Sequence, residues 1–455
     1  MLRHTLLGLS LVALACLNSN AADWSRFRGP NGSGVSAAPV PVEFGAEKNM
    51  AWKIKLPGRG VSSPIIVGDK VFVTCWSGYG GDLGRELENL KRHLVCVDRK
   101  TGKKLWDKTV SADLPEDPWS GMGVPAHGYA SHTPASDGER VFCFFGKGGV
   151  VAFDFDGKQL WKVSVGKESG PRRWGSAASP IVHKDTVIVN ASDESEAMVG
   201  LDAATGKEKW RAAAGGLAST WGTPAMVNSS ARGDEIVLAV PGEVWGFNPE
   251  SGKLRWYAPG NEGASHSVVV DGDVIYSIGG GRGGSNGIAV RAGGKGEIAD
   301  DNIVWENRAG GRFATPLVYS GHLYTLNGSI VACYGTADGK KIFEKRLPES
   351  AGSRGNAQGG NRERGGRSGG PGGGGGSRGF GGRGGSDYAS PIVAGERIYI
   401  TRNSGSVHVL ATGSEYKLLA TNDLSFDSSG FAATPAAADG QLIIRSHTHL
   451  YCFSE

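Results

Sequence analysis

Asp98-Arg99-Lys100-Thr101-Gly102-Lys103-Lys104-Leu105-Trp106 reads as a tight polar corner followed by a strand that carries an indole at a fixed offset. Asp and Thr can bond the local backbone, and Gly supplies the positive φ that such a corner needs. The phrase returns as Asp202-Ala203-Ala204-Thr205-Gly206-Lys207-Glu208-Lys209-Trp210 and as Asn248-Pro249-Glu250-Ser251-Gly252-Lys253-Leu254-Arg255-Trp256. Looser copies end at Trp161, Trp305 and Phe343. Self-similarity at a period near 44 residues predicts a radially repeated architecture.

A second phrase keeps the same beat. Ser or Thr, usually followed by Pro, opens an apolar strand at Ser63, Thr133, Ser179, Thr223, Ser267, Thr315, Ser390 and Thr434. Each opening strand leads through a turn into further strands and ends on the aromatic position, which makes four short strands per unit. The expectation is an all-β, eight-bladed β-propeller over residues 49–455; seven blades remain if the fifth unit, where Val268 replaces Pro, is not a blade. The last unit stops at Glu455 after three strands, while Ala51-Trp52-Lys53-Ile54-Lys55 stands alone before the first Ser-Pro. That N-terminal strand is expected to complete the eighth blade and remove an open edge. Such a ring allows a single domain of about 400 residues. Helical periodicity is nearly absent, and residues 82–92 read as a surface insertion of blade 1.

The D-x-x-T-G-x-x-x-W pattern resembles the tryptophan-docking motif of the quinoprotein, or PQQ-like, β-propeller repeat, across nearly all of the chain after residue 50. Trp24-Ser25-Arg26-Phe27-Arg28-Gly29-Pro30-Asn31-Gly32-Ser33-Gly34 is similar to the lead-in of exported bacterial propellers of this kind. Two functions follow from the resemblance. Quinoprotein dehydrogenases bind PQQ with calcium at the channel mouth, use an Asp base and pack a disulfide of adjacent cysteines on the quinone. BamB-type propellers share the repeats without the quinone and act as envelope scaffolds. This sequence has no adjacent Cys pair and no recognisable Asn/Glu/Asp calcium set, and Asp193-Glu194-Ser195-Glu196 reads as a solvated hairpin tip. It also lacks a P-loop, a metal-spaced His/Cys cluster and a Ser-His-Asp order. The expectation is a non-catalytic, monomeric binding propeller of the cell envelope whose partner is an envelope protein or a small ligand, with no cofactor. The alternative is a PQQ-dependent dehydrogenase acting on alcohols or sugars.

Residues 1–22 have a basic start and an apolar run from Leu6 to Leu17, followed by small residues. The run is too short to span a bilayer and reads as a secretory signal peptide, with lipidation at Cys16 as the lesser reading. Residues 23–48 form a lead-in segment. Five cysteines would remain after cleavage; buried free thiols are expected, with a Cys75–Cys96 bridge as the exception. The formal charge of +4 is uneven. Residues 351–386 hold 18 Gly and six Arg against one Glu, and Arg3 adds one more positive charge, so the rest carries −2. No basic field for nucleic acid remains. Residues 351–386 lie between blades 6 and 7, and Gly-rich chain of this kind cannot offset its ordering entropy, so disorder is expected there.

Chemistry in a propeller gathers at a channel mouth. One position before each Ser/Thr stand Ser62, His132, Ala178, Gly222, His266, Ala314, Ala389 and Ala433; two before stand Val61, Ser131, Ala177, Trp221, Ser265, Phe313, Tyr388 and Ala432. His132, His266, Trp221, Phe313 and Tyr388 are therefore candidate pocket residues, joined by Arg172, Arg173 and Trp174 from the blade 2–3 connection. The long loops of blades 1 and 2 offer Trp119, His127 and Tyr129. The site suits a planar or anionic ligand held by stacking and by arginine.

Overall fold

A computed structural model describes residues 23–349 and 387–455, apart from Met122, Ala264, Arg282, Gly283, Ala299 and Arg312. The expected signal peptide and the Gly/Arg-rich segment lie outside the described residues.

The hairpin corner owes its shape to three neighbouring groups. The Asp98 carboxylate accepts from Thr101 N at 2.8 Å and Thr101 Oγ1 at 2.7 Å, and Gly102 N closes on Asp98 O at 2.9 Å. The Asp202, Thr205 and Gly206 corner repeats these bonds. Gly102 has a φ of 71°, and a Cβ there would sit 2.6 Å from the Trp52 ring. The glycine is thus required twice, for its conformation and for the indole lying on it. In each case the indole comes from the preceding blade. Trp52 Nε1 donates to Arg99 O at 2.8 Å, Trp106 to Phe155 O at 3.0 Å, Trp161 to Ala203 O at 3.1 Å, Trp210 to Pro249 O at 2.9 Å, and Trp305 to Thr336 O at 2.7 Å.

Eight sheets result, each antiparallel over its four propeller strands. Blade 1 comprises Ile65–Val67, Lys70–Ser77, Lys91–Asp98 and Lys104–Ser111, and the others repeat the order inside to outside. The fifth unit is a true blade, built from Val269–Asp271, Val274–Gly281, Gly284–Arg291 and Ile303–Asn307. Its weaker signal has a local cause: Ala292-Gly293-Gly294 replaces the usual corner, and the buried Trp256 indole nitrogen has no partner among the described residues. Blade 8 consists of Ala436–Ala438, Gln441–Arg445, His449–Phe453 and, as the sequence predicts, Met50–Lys55. Trp52 stands opposite Cys452 and Lys55 opposite His449. The main hydrophobic clusters lie between blades; Ile65 and Phe72 of blade 1, for example, share a cluster with Val141 and Phe153 of blade 2.

The Cys75–Cys96 bridge is not formed, and all five described cysteines are free and buried. Register explains it. Cys75 stands opposite His93 and joins the blade 8 side, while Cys96 stands opposite Phe72 and joins the blade 2 side. Burial pushes both thiols up to about 12.

The lead-in is a strap across one end of the channel. Trp24 pairs with Ile66, Arg26 donates to Pro224 O at 2.7 Å, the buried Arg28 donates to Pro316 O at 2.7 Å, and Val35–Ser36 adds a parallel strand to blade 7. It thereby ties blades 1, 4, 6 and 7 together. Within blade 1's insertion, Leu87–Asn89 forms one 3-10 turn.

Candidate functional site: the axial pocket

The Ser/Thr positions form a nearly continuous ring. Ser63 N donates to Thr133 Oγ1 at 2.9 Å, Thr133 N to Ser179 Oγ at 3.0 Å, Ser179 N to Thr223 Oγ1 at 2.9 Å, and Thr223 N to Ser267 Oγ at 2.9 Å. After blade 6 the series resumes: Thr315 N to Ser390 Oγ and Ser390 N to Thr434 Oγ1, both at 2.9 Å, then Thr434 N to Ser63 Oγ at 3.1 Å. Only the Ser267–Thr315 step, beside Val268, is unbonded among these described residues. Ser or Thr is needed because a short hydroxyl here satisfies an amide that the neighbouring blade leaves unpaired.

Above this ring opens a cavity of about 140 Å³. All eight residues two positions before the Ser/Thr line it, among them Trp221, Phe313 and Tyr388. Phe27 of the strap lines it as well. Since the strap bonds residues that follow the ring hydroxyls, while the wall residues precede them, Phe27 closes the far side. The pocket is blind.

Trp221 and Trp174 lie with ring centroids 5.0 Å apart, and the exposed Arg172 guanidinium lies 5.2 Å from the Trp174 centroid and 5.9 Å from that of Trp221. Trp221 Nε1 donates to Gly175 O at 2.9 Å, which fixes the indole. Phe313 and Tyr388 pair at 4.7 Å. Trp221, Phe313 and Tyr388 therefore line one pocket, with Trp174 and Arg172 beside Trp221.

His132 and His266 do not line this pocket. Strand alternation turns the residue before each Ser/Thr into the blade. His132 Nε2 lies 2.9 Å from Ser176 Oγ, and His266 Nε2 lies 3.1 Å from Ser277 Oγ; both rings are buried. Desolvation lowers them to about 3 and about 4, so they are neutral. Trp119 and Tyr129 also stand apart, packed with Trp76 and Tyr79 in a satellite core, whereas His127 does reach the pocket wall.

Asp193 and Glu194 correct the hairpin-tip reading. They sit in the short helical turn Ser192–Ser195, at 4% and 2% exposure. Glu194 Oε1 accepts from Ser176 Oγ at 2.5 Å, while its Oε2 and both Asp193 oxygens have no partner among the described residues. Desolvation pushes Asp193 up to about 7 and Glu194 up to about 8. Glu194 borders a second cavity of about 30 Å³, shared with His132, Arg92, Lys147 and the Arg92–Glu116 and Lys147–Asp117 ion pairs. His127 lies between the two cavities, its Nδ1 2.5 Å from Ser131 Oγ and its Nε2 2.6 Å from Trp174 O. Sequence alone carried no signal for this cluster, because it is the blade 2 loops that bury the two acids.

The family described as outer membrane protein assembly factor BamB matches residues 90–281. Over that span the repeats are similar to those of BamB-type, PQQ-like propellers. A protein from Burkholderia pseudomallei (strain K96243) named outer membrane protein assembly factor BamB is 29% identical over 208 residues, which is 44% of this chain and 43% of that one. A polyvinylalcohol dehydrogenase from a Pseudomonas species is 25% identical over 239 residues, 49% of this chain and 31% of the relative. The chain thus spans less than half the length of these curated relatives. A europium-containing methanol dehydrogenase superposes with a TM-score of 0.62 at 11% identity, over 95% of this chain and 98% of that one. The likeness at that identity concerns the fold alone.

The PQQ-like repeats raise the question of whether the residues here fit PQQ and calcium. Among the described residues, no lysine or arginine lines the axial pocket, and no group of three His, Cys, Asp or Glu side chains is placed to hold a metal ion. One rim arginine is a poor match for a tricarboxylate quinone with its cation, so the donor set does not fit that pair.

Proposed function

We infer that this chain is an exported binding propeller of the cell envelope, which captures a ligand or a partner's side chain in the axial pocket rather than oxidising a substrate. One observation carries the reading: a blind pocket with neutral walls, closed by Phe27 and rimmed by Trp221, Trp174 and Arg172. Apolar walls with a few polar groups are what ligand capture requires. Residues 1–22 support export through a signal peptide, with 23–48 as the strap and 49–455 as the ring. The BamB relative supports an envelope partner.

The second reading, a PQQ-dependent dehydrogenase, is favoured by the polyvinylalcohol dehydrogenase relative. One experiment separates the two. Purified protein is given PQQ and Ca²⁺, then followed by thermal shift and by dye-linked oxidation of alcohols and aldose sugars. A ligand at 100 times its Kd stabilises the native state by about 2.7 kcal/mol, so binding is visible without turnover. The binding reading expects no dye reduction. PQQ-dependent turnover that Trp221→Ala abolishes would overturn it.

A further inference from the structure

We propose that the floor of the axial pocket is an oxyanion site, in which the converging Ser and Thr hydroxyls hold the carboxylate of a ligand whose apolar body lies between Trp221 and the Phe313–Tyr388 pair. The proposal rests on the pocket-binding reading above and adds the chemical class of the ligand.

A hydroxyl carries one proton and two lone pairs. In seven of the eight ring residues the oxygen already accepts a backbone N–H from the preceding blade. That bond pins the oxygen and strengthens the O–H as a donor. None of the eight hydroxyls donates to another described residue, and all eight line the cavity. The floor is therefore a circle of hydroxyls whose protons meet no bonded acceptor among the described residues. A carboxylate offers about four lone-pair sites and can meet several donors together, in charge-assisted bonds roughly twice as strong as neutral ones.

The electrostatics agree. No Asp or Glu is among the residues lining the axial cavity. Arg172 stands at the mouth with no ion pair among the described residues and adds the same sign of attraction. One ring of donors and one rim cation suit a single anionic head. Phe27 blocks passage beyond the ring, so the head stops there.

The test titrates the purified protein calorimetrically with benzoate, benzamide and benzyl alcohol, which share a ring and differ in the head. Benzoate is expected to bind at least tenfold more tightly than benzyl alcohol. Thr315→Val is the diagnostic variant, because the Thr315 hydroxyl lies outside the inter-blade bonding and valine keeps its volume. It should leave the melting temperature unchanged and weaken benzoate about tenfold, the loss of one bond to a charged group, while benzyl alcohol binding stays as it was. Ser390→Ala should weaken benzoate too, with a lower melting temperature because Thr315 N loses its acceptor. Equal affinity for benzoate and benzyl alcohol, or no effect of Thr315→Val on benzoate, would overturn the oxyanion floor and leave the pocket reading standing. Failure of all three probes to bind at millimolar concentration would overturn both.

Discussion

The amide of Thr434 donates to the hydroxyl of Ser63 across 3.1 Å of space and 371 residues of chain. This bond joins the last blade to the first on the axis, as Trp52 joins them at the rim. Ser63→Ala removes the acceptor and strands a buried amide, a loss of about 1–3 kcal/mol. Chemical denaturation should show that loss for Ser63→Ala and almost none for Thr315→Val, in which the lost hydroxyl served no neighbour. Equal effects at the two positions would show that the ring bonds do not secure the closure.

Trp52 is the stronger closure. Its ring covers Gly102, its nitrogen is bonded to Arg99 O, and it is 8% exposed. Trp52→Ala is expected to cost about 3–5 kcal/mol, in the range of large aromatic truncations. Leu105→Ala, on an exposed outer strand, is the control, and a smaller loss at Trp52 than at Leu105 would contradict the docking argument.

Asp193 and Glu194 predict a pH dependence with a definite sign. Their carboxyls are raised in the fold, so folding takes up protons and stability is lost as pH rises toward about 8. The buried histidines act oppositely. His132 at about 3 and His266, His408 and His447 at about 4 destabilise the fold as pH falls below an unfolded value of about 6.5. Between pH of about 7.5 and 8 the histidines are almost wholly neutral in both states, and the acids dominate. The melting temperature should decline across that window, and Glu194→Gln should flatten the slope. A slope unchanged in the variant would remove Glu194 from the account.

His132→Ala and His266→Ala should lower the melting temperature and leave benzoate affinity unchanged, because each ring is bonded inside the structure and away from the pocket. Trp221→Ala should do the reverse, weakening all three aromatic probes with little effect on folding. Calorimetry and thermal melting on the same preparations decide between these patterns.

Arg28→Ala should loosen the strap locally. Burial without an anionic partner holds this guanidinium down to about 9, yet it anchors the strap on Pro316 O. Val393 N bonds Gly34 O at 2.7 Å, so its amide should exchange faster with solvent in the variant. Unchanged exchange at Val393 would show that other contacts suffice to hold the strap.

The propeller was legible because its corner chemistry is local: Asp98, Thr101 and Gly102 complete a bonded turn within five residues, and the repeat multiplies the signal. The wall of the pocket was legible too, since Trp221, Phe313 and Tyr388 share one register. The histidines were misplaced by a single step along a strand whose faces alternate. The strap and the acidic turn were illegible for another reason. Arg28 meets a carbonyl 288 residues away, and Glu194 is buried by loops of a different blade, so no window of sequence holds both partners.

The strap also orders events in time. Residues 24–36 are made before any blade, yet their docking sites on blades 4, 6 and 7 are made hundreds of residues later, and Trp52 waits for the final strand. Contacts of such long sequence separation form slowly. A chain emerging N-terminus first must carry part of its fastener undone until blade 7 is made. The strap is thus among the last segments to be fully seated, and a chain cut short after blade 4 lacks two of its four docking blades.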